Sequence, residues 1–200
     1  MAQNYVVVGL GNPGEEYENT RHNVGRIVVD EFAKENDFEK NIFDKKFKGL
    51  SACRKVGKSK VLLLEPETFM NKSGDSVRCI IKSKKDALGM ILIHDDLDLP
   101  FGKFKISYNK SSGGHKGVES VIKAVKTTEF TRIRVGISKA TPSGKLKKPT
   151  TEKDVIALIL RKFSKSEFEI MKKVAKDASE AIRMIFKDGR ERTMGEFNGR

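Results

Sequence analysis

Cysteine is scarce in this chain. Its two cysteines, Cys53 and Cys79, show no CxxC spacing, so neither a disulfide framework nor a structural zinc site has support. Both are expected to be buried thiols in a reducing cytosol. Long apolar runs are also missing: stretches such as Val61-Leu62-Leu63-Leu64 fall far short of the about 20 residues that span a bilayer. No basic segment leads into an apolar stretch near residue 1, and a soluble, cytoplasmic protein is expected. Three histidines occur, His22, His94 and His115, and none forms an HExxH pair or other ligand spacing. With no GxSxG elbow either, metal-assisted hydrolysis and a serine nucleophile both lack support.

Acidic residues are outnumbered. Forty Lys and Arg against 27 Asp and Glu leave a formal charge of +13, which points to a polyanionic partner, either nucleic acid or an anionic membrane surface. A lysine-rich but merely solvated surface would give the same total. At 200 residues the chain suits one domain with a real core, and although 34% of it is charged, apolar clusters recur along the whole length.

Those clusters alternate between strand and helix periods. Tyr5–Val8 reads as a strand, Val24, Ile27, Val28 and Phe32 as a helix face, and Phe47–Val56 and Val61–Leu64 as two strands. Val77, Ile80 and Ile81 suggest a helix, Met90–Ile93 a buried strand, Phe104–Tyr108 another, and Val118, Val121, Ile122 and Val125 a further helix. Ile133, Val135 and Ile137 alternate as a strand. Residues 138–154, rich in Pro, Thr, Ser, Gly and Lys, read as a mobile surface loop. Two helices are then expected. The last carries a core stripe of Phe168, Met171, Val174, Ala175, Ala178, Ile182 and Ile185 and stops at Gly189. The whole predicts a single α/β domain with a mixed, mainly parallel β-sheet flanked by helices, whose functional loops gather beyond the carboxyl ends of the strands.

The first strand runs into Gly9-x-Gly11-x-x-Gly14, the spacing of a dinucleotide fingerprint. A pyrophosphate site needs the glycine turn to enter a helix directly, with an acid closing the next strand. Here Pro13 removes a backbone donor, Glu15 and Glu16 put negative charge where the pyrophosphate would lie, and the helical pattern waits until Val24. The nearest acid, Asp30, sits inside that helical pattern. A nucleotide-dependent oxidoreductase is therefore the weaker reading. What the turn offers instead is Asn12, an amide that both donates and accepts, and His22 at the start of the next helix, with Thr20 placed to cap it.

Four features fall at strand-to-helix or strand-to-loop junctions: His22, Asn71 in ETFMNKSG, Asp95 in LIHDDLDLP, and the turn SSGGHKG at 111–117. All can meet at one edge of the sheet. A neutral imidazole is suited to take a proton from water, and a carboxylate on its far nitrogen fixes the tautomer and stabilises the imidazolium, so His22 and Asp95 form a candidate pair. Asn12 and Asn71 can bind peptide groups or an oxyanion without adding charge. Taken singly, His22 could be a helix-start histidine bonded to backbone, and Asp95, beside Asp96 and Asp98, part of a solvated acidic turn. Phe69 and Met70 are read as wall residues, His94 as a structural hydrogen-bonding group, and His115 as a support for the glycine turn.

GLGNPGEEYENTRHNVG, PETFMNKSG, HDDLDLPFGK and GGHKGVESVI, in this order, resemble the bacterial-type peptidyl-tRNA hydrolases, from about residue 5 through the final helix. The resemblance implies a single, usually monomeric domain that cleaves the ester between a peptide and the terminal ribose of tRNA, recycling chains dropped by the ribosome. It implies peptidyl-tRNA as partner, no stable protein partner, no membrane, and no metal or cofactor. It places the catalytic histidine on His22 and its orienting aspartate on Asp95. Substrate contacts fall on Asn12, Tyr17, Phe69 and Asn71, and the clamp on the tRNA 5′-phosphate on Lys105 and Arg134. One departure stands out: relatives usually read GGHNG where this chain reads GGHKG. Lys116 thus replaces a substrate-contacting asparagine, and a lysine cannot accept a hydrogen bond but can pair with a phosphate of the acceptor end. A relative that keeps the fold as an RNA-binding factor without turnover is the rival within this resemblance, and the joint presence of His22, Asp95, Asn12 and Asn71 speaks against it.

Overall fold

In the computed structural model, which describes residues 4–39 and 41–199, the β-branched run near the N-terminus forms β1 (Asn4–Gly9) near the middle of a mixed sheet. After it come α1 (Val24–Glu35), β2 (Ile42–Asp44), β3 (Gly49–Val56) and β4 (Ser59–Pro66). Next are α2 (Ser73–Val77), α3 (Lys84–Ala87), β5 (Met90–Pro100), β6 (Phe104–Tyr108) and α4 (Lys116–Val125). The chain continues through β7 (Thr131–Ala140), β8 (Leu146–Lys147), α5 (Glu152–Ile159), α6 (Lys165–Asp188) and α7 (Arg190–Phe197). The strand order is β2-β3-β4-β1-β5-β7-β6, with β8 paired to β7. The central strands β4, β1, β5 and β7 run parallel, and β2, β3, β6 and β8 pair antiparallel at the flanks, so the sheet is mixed with a parallel core, as expected for the α/β class.

Because side chains alternate across a strand, the parallel strands are apolar on both faces. Val7, Leu63, Ile91, Ile93 and Ile133 pack under α1 and α6, while Val8, Leu64, Met90, Leu92 and Phe130 pack under α2 and α4. The glycines of the fingerprint serve this packing. A Cβ on Gly9 would lie 2.5 Å from the Gly25 carbonyl, and one on Gly25 would lie 2.5 Å from backbone atoms of Leu10 and Ile93. They let the start of α1 sit directly on the ends of β1 and β5. Gly14 turns the chain with φ +106, a conformation that L side chains rarely adopt.

Several expectations are corrected. The sequence leads one to expect both cysteines buried, yet Cys53 is exposed on β3 and Cys79 is partly exposed. Cys53 lies on a flanking antiparallel strand next to exposed Arg54 and Lys55. The helix expected through Ile81 ends at Val77, whose carbonyl accepts from both Ile80 and Ile81 in a turn. Gly189, at φ 86, does end α6, but it also opens α7, so among the described residues three helices follow β8. The segment 138–154 holds the end of β7, the β8 hairpin strand and the start of α5. Thr20 precedes a 3₁₀ turn, and its hydroxyl donates to the Tyr17 carbonyl at 2.8 Å instead of capping the turn. Finally, β5 runs on through the acidic stretch to Pro100. Beyond Ile93, where its pairing with β1 ends, it stays paired to β7, with an irregularity between Asp96 and Pro100.

Candidate active site

Segments leaving the carboxyl ends of β1 and β4, the second half of β5 and the turn before α4 line a cleft of about 850 Å³ together with α5. His22 is held there from both sides. Its neighbour Arg21 is buried and donates to the carbonyls of Arg161 (3.0 Å) and Lys162 (3.2 Å) and to Glu167 (2.8 Å), fixing the 3₁₀ turn Arg21–Asn23 to the start of α6. Its other neighbour, Asn23, makes a reciprocal pair with the backbone of Asn12: the Asn12 N–H donates to Asn23 Oδ1 and Asn23 Nδ2 donates to the Asn12 carbonyl, both at 2.9 Å.

His22 Nδ1 lies 2.8 Å from Asp95 Oδ1, and both residues are buried. Asp95 is therefore part of the strand interior, not of a solvated acidic turn. The same Oδ1 is 2.9 Å from His115 Nε2. The tautomer of His115 follows from its other nitrogen, because Nδ1 accepts from the N–H groups of Gly117 (3.1 Å) and Val118 (3.2 Å) at the start of α4. A nitrogen that accepts two backbone donors carries no proton, so Nε2 carries it and donates to Asp95. Asp95 thus receives two N–H groups on one oxygen.

The electrostatics follow. Burial pushes the Asp95 carboxyl up, but the two histidines facing it hold it well below the usual carboxylate range, so it stays ionised. Burial pushes the His22 imidazole down, and the charge and hydrogen bond of Asp95 outweigh that and raise it above its ordinary value. Among the described residues no hydrogen bond reaches His22 Nε2, and His22 lines the cleft. His94 is fully buried, and its Nδ1 donates to the Asp95 carbonyl at 2.7 Å. Burial, then His115 and Arg132, hold it well below its ordinary value, so it stays neutral.

Among the described residues, His22, Asp95 and His115 are the group whose ligand atoms, all within 4.8 Å of one another, could hold a metal ion. The donor set does not fit one. A metal on His115 Nε2 would require that ring to lose its proton while Nδ1 still accepts from two N–H groups, leaving an anionic imidazole. The cluster is a hydrogen-bonded triad.

The asparagines converge on the same cleft. Asn12 Oδ1 accepts the Met70 N–H at 2.8 Å, so the amide that could both donate and accept has only its Nδ2 to offer. Asn71 is exposed on the 3₁₀ turn Met70–Lys72, and Phe69, 58% exposed, stands beside it. Gly117 makes room for the Met70 sulfur, which would lie 2.4 Å from a Cβ there. Lys116 lines the cleft too, but its Nζ pairs with Glu152 Oε1 of α5 at 3.0 Å, both side chains being well exposed. Tyr17, half-buried in its own 3₁₀ turn, does not line the cleft. Lys105 and Arg134 are direct partners in the β6–β7 ladder and so share a sheet face. Arg134 Nε donates to Asp96 Oδ2 at 2.6 Å.

Sequence reasoning missed four contributors. His115 reaches Asp95 as well as the glycine turn; Asn23 and Arg26 brace Asn12; and Val155, Ile156, Ile159 and Leu160, from one apolar run, supply a cleft wall. Only the last carried a signal, an apolar run inside a segment otherwise read as loop and helix.

A family profile described as peptidyl-tRNA hydrolase matches residues 6–200. A peptidyl-tRNA hydrolase of Thermoanaerobacter sp. (strain X514) is 40% identical over 98% of this chain and 100% of its own length. One from Carboxydothermus hydrogenoformans is 38% identical over 97% of this chain and 98% of its own. The crystal structure of peptidyl-tRNA hydrolase from Acinetobacter baumannii superposes with a TM-score of 0.86 at 29% identity, covering 97% of this chain and 94% of that one.

Proposed function

The chain belongs to the peptidyl-tRNA hydrolase family, and from that premise we propose that it hydrolyses the ester joining a peptide, or an N-blocked amino acid, to the 3′-terminal ribose of tRNA. Its role is then to recycle peptidyl-tRNA released from ribosomes, as a cytoplasmic monomer without metal or cofactor. The observation that carries this reading is the buried His22–Asp95 pair, with one imidazole nitrogen held by the carboxylate and the other turned to a cleft lined by asparagines.

His22 Nε2 takes a proton from water as the water oxygen attacks the ester carbonyl carbon. The negative charge of Asp95 stabilises the imidazolium, and Asp95 itself stays unprotonated. Asn12 Nδ2, whose orientation is set by the Met70 N–H on Oδ1, donates to the carbonyl oxygen as it becomes an oxyanion; Asn71 binds the neighbouring peptide group. The intermediate then breaks its bond to the ribose oxygen, which takes the proton from His22. The products are a peptide acid and tRNA with a free 3′-hydroxyl, and the imidazole returns to its neutral form. No acyl-enzyme forms.

Phe69 packs on the terminal adenosine or the peptide, and Tyr17, outside the cleft lining, meets parts of the substrate beyond it. Lys105 and Arg134, side by side on β6 and β7, hold the 5′-phosphate, with Arg134 offering its terminal nitrogens because Nε is bonded to Asp96. Lys116 exchanges Glu152 for a phosphate of the acceptor end. Purified protein should release free tRNA from N-acetylated aminoacyl-tRNA and leave the unblocked aminoacyl-tRNA largely intact. Equal turnover of both, or of neither, would refute the reading.

A further inference from the structure

Arg26 lies on α1, among the apolar residues that pack it against the sheet, and its side chain is 13% exposed. A guanidinium so enclosed must spend its donors on particular acceptors. Nη1 donates to the Asn12 carbonyl at 3.2 Å. Nη2 donates to the Pro66 carbonyl at 3.2 Å and to the Glu67 carboxylate. Nε faces Glu65 Oε2 at 3.8 Å and makes no hydrogen bond. The stem fills the space over Gly11, where a Cβ would come within 2.7 Å of Arg26 Cδ. One planar fork therefore ties the loop after β1, which carries Asn12, to the end of β4 and the loop after it, which leads through Phe69 and Met70 to Asn71.

The only other side-chain bond between these loops among the described residues is Met70 N–H to Asn12 Oδ1. A single hydrogen bond is worth about 1 kcal/mol net and leaves the loops free to hinge about it. The guanidinium supplies the second and third points of attachment that fix a relative orientation.

We propose that Arg26 is a positioning residue: by clamping the loop after β1 to the loop after β4, it sets the spacing between the Asn12 and Asn71 amides across the ester. It touches no substrate and acts through the two loops. The proposal rests on the function proposed above for those asparagines, and its test includes a readout that does not.

The test compares Arg26→Met, which keeps the stem over Gly11 without donors, with Arg26→Lys, which keeps a positive charge beside Glu65 and Glu67 but cannot span Asn12 and Pro66 together. Three quantities are measured on folded protein: melting temperature, kcat and KM for N-acetylated aminoacyl-tRNA, and hydrogen exchange of the Met70 amide against amides of β5. Displacing reacting groups by about 1 Å can reduce turnover about 10²-fold, so Arg26→Met should lower kcat by about 10- to 100-fold with little change in KM. The Met70 amide should lose protection by about tenfold or more while β5 amides keep theirs. Arg26→Lys should recover melting temperature without recovering kcat or Met70 protection, a split that a purely stabilising role would not produce. Wild-type kcat in folded Arg26→Met, unchanged Met70 protection, or full recovery of both by lysine would overturn the proposal. Should the wild-type protein fail to cleave the substrate while Met70 protection still responds, the clamp stands and the function reading falls.

Discussion

Replacing Asp95 by asparagine isolates its charge from its geometry, because His115 dictates which way the new amide must face. His115 Nδ1 accepts two backbone N–H groups, so its Nε2–H points at residue 95 and cannot switch without stranding both donors. An asparagine at that position with its NH₂ toward the His115 N–H would set donor against donor. The amide oxygen is therefore forced inward, where it accepts from both rings, and His22 keeps its proton on Nδ1 and its lone pair on Nε2. Only the carboxylate charge is lost. A unit charge about 4 Å away is worth about 4 kcal/mol at an effective dielectric near 20, and the retained neutral hydrogen bond recovers about 1 kcal/mol of it. The expected loss in kcat is thus about 10²-fold, from roughly 3 kcal/mol. Where such a substitution also traps the wrong tautomer, the loss is about 10⁴-fold. The larger loss should appear here in Asp95→Asn/His115→Ala, which frees the amide to flip. The assay is single-turnover release of tRNA from N-acetylated aminoacyl-tRNA, with ¹⁵N spectra reporting the His22 tautomer. Equal losses in the single and double variants, or an Nε2-protonated His22 in Asp95→Asn, would refute the reasoning.

Glu65 is pushed up from 4.5 to about 8, first by burial and then by the charge and hydrogen bond of Asp30, against the opposing pull of Arg26. The folded chain therefore holds a proton that the unfolded chain releases, and stability falls as pH rises from 4.5 to about 8 and levels above it. Glu65→Gln should flatten that decline and be more stable than wild type at pH 9 by on the order of a few kcal/mol in urea titrations; parallel curves would contradict this. Gly25→Ala would put a methyl group 2.5 Å from the backbone of Leu10 and Ile93, and an overpacking penalty of about 2–3 kcal/mol corresponds to a melting temperature about 5–10 °C lower by calorimetry; an unchanged melt would mean that α1 can shift freely. Lys116→Asn breaks an exposed ion pair with Glu152 and should leave stability within about 0.5 kcal/mol, while flattening the salt dependence of KM for the tRNA substrate. Unaltered rate constants and salt slope would remove Lys116 from the site.

Much of the frame was legible because it rests on period-two and helical patterns: Val7 and Val8, or Ile91 and Leu92, divide between the two faces of the sheet as alternation requires. The limits are equally physical. Residues 94–100 resemble a turn because acids disfavour strands, yet pairing with β7 overrides that preference. Only Thr193 and Phe197 of α7 are buried, too few for a periodic signal. His22, Asp95, Asn12 and Asn71 could be singled out by type and position, but the second imidazole on Asp95 could not, since His115 already had a local task at the head of α4. Arg26 likewise carries no signal in the sequence, because its bonds to Asn12, Pro66 and Glu67 join segments far apart along the chain.

The proposed hydrolysis depends on a neutral imidazole at residue 22 taking the proton from water, and the most direct measurement sets kcat/KM against pH beside the NMR titration of the His22 ring. Activity should disappear as pH falls through one inflection that coincides with protonation of His22 and lies above the ordinary histidine value, as the ionised Asp95 beside it requires. A full rate maintained at a pH where the His22 ring is already protonated would contradict it.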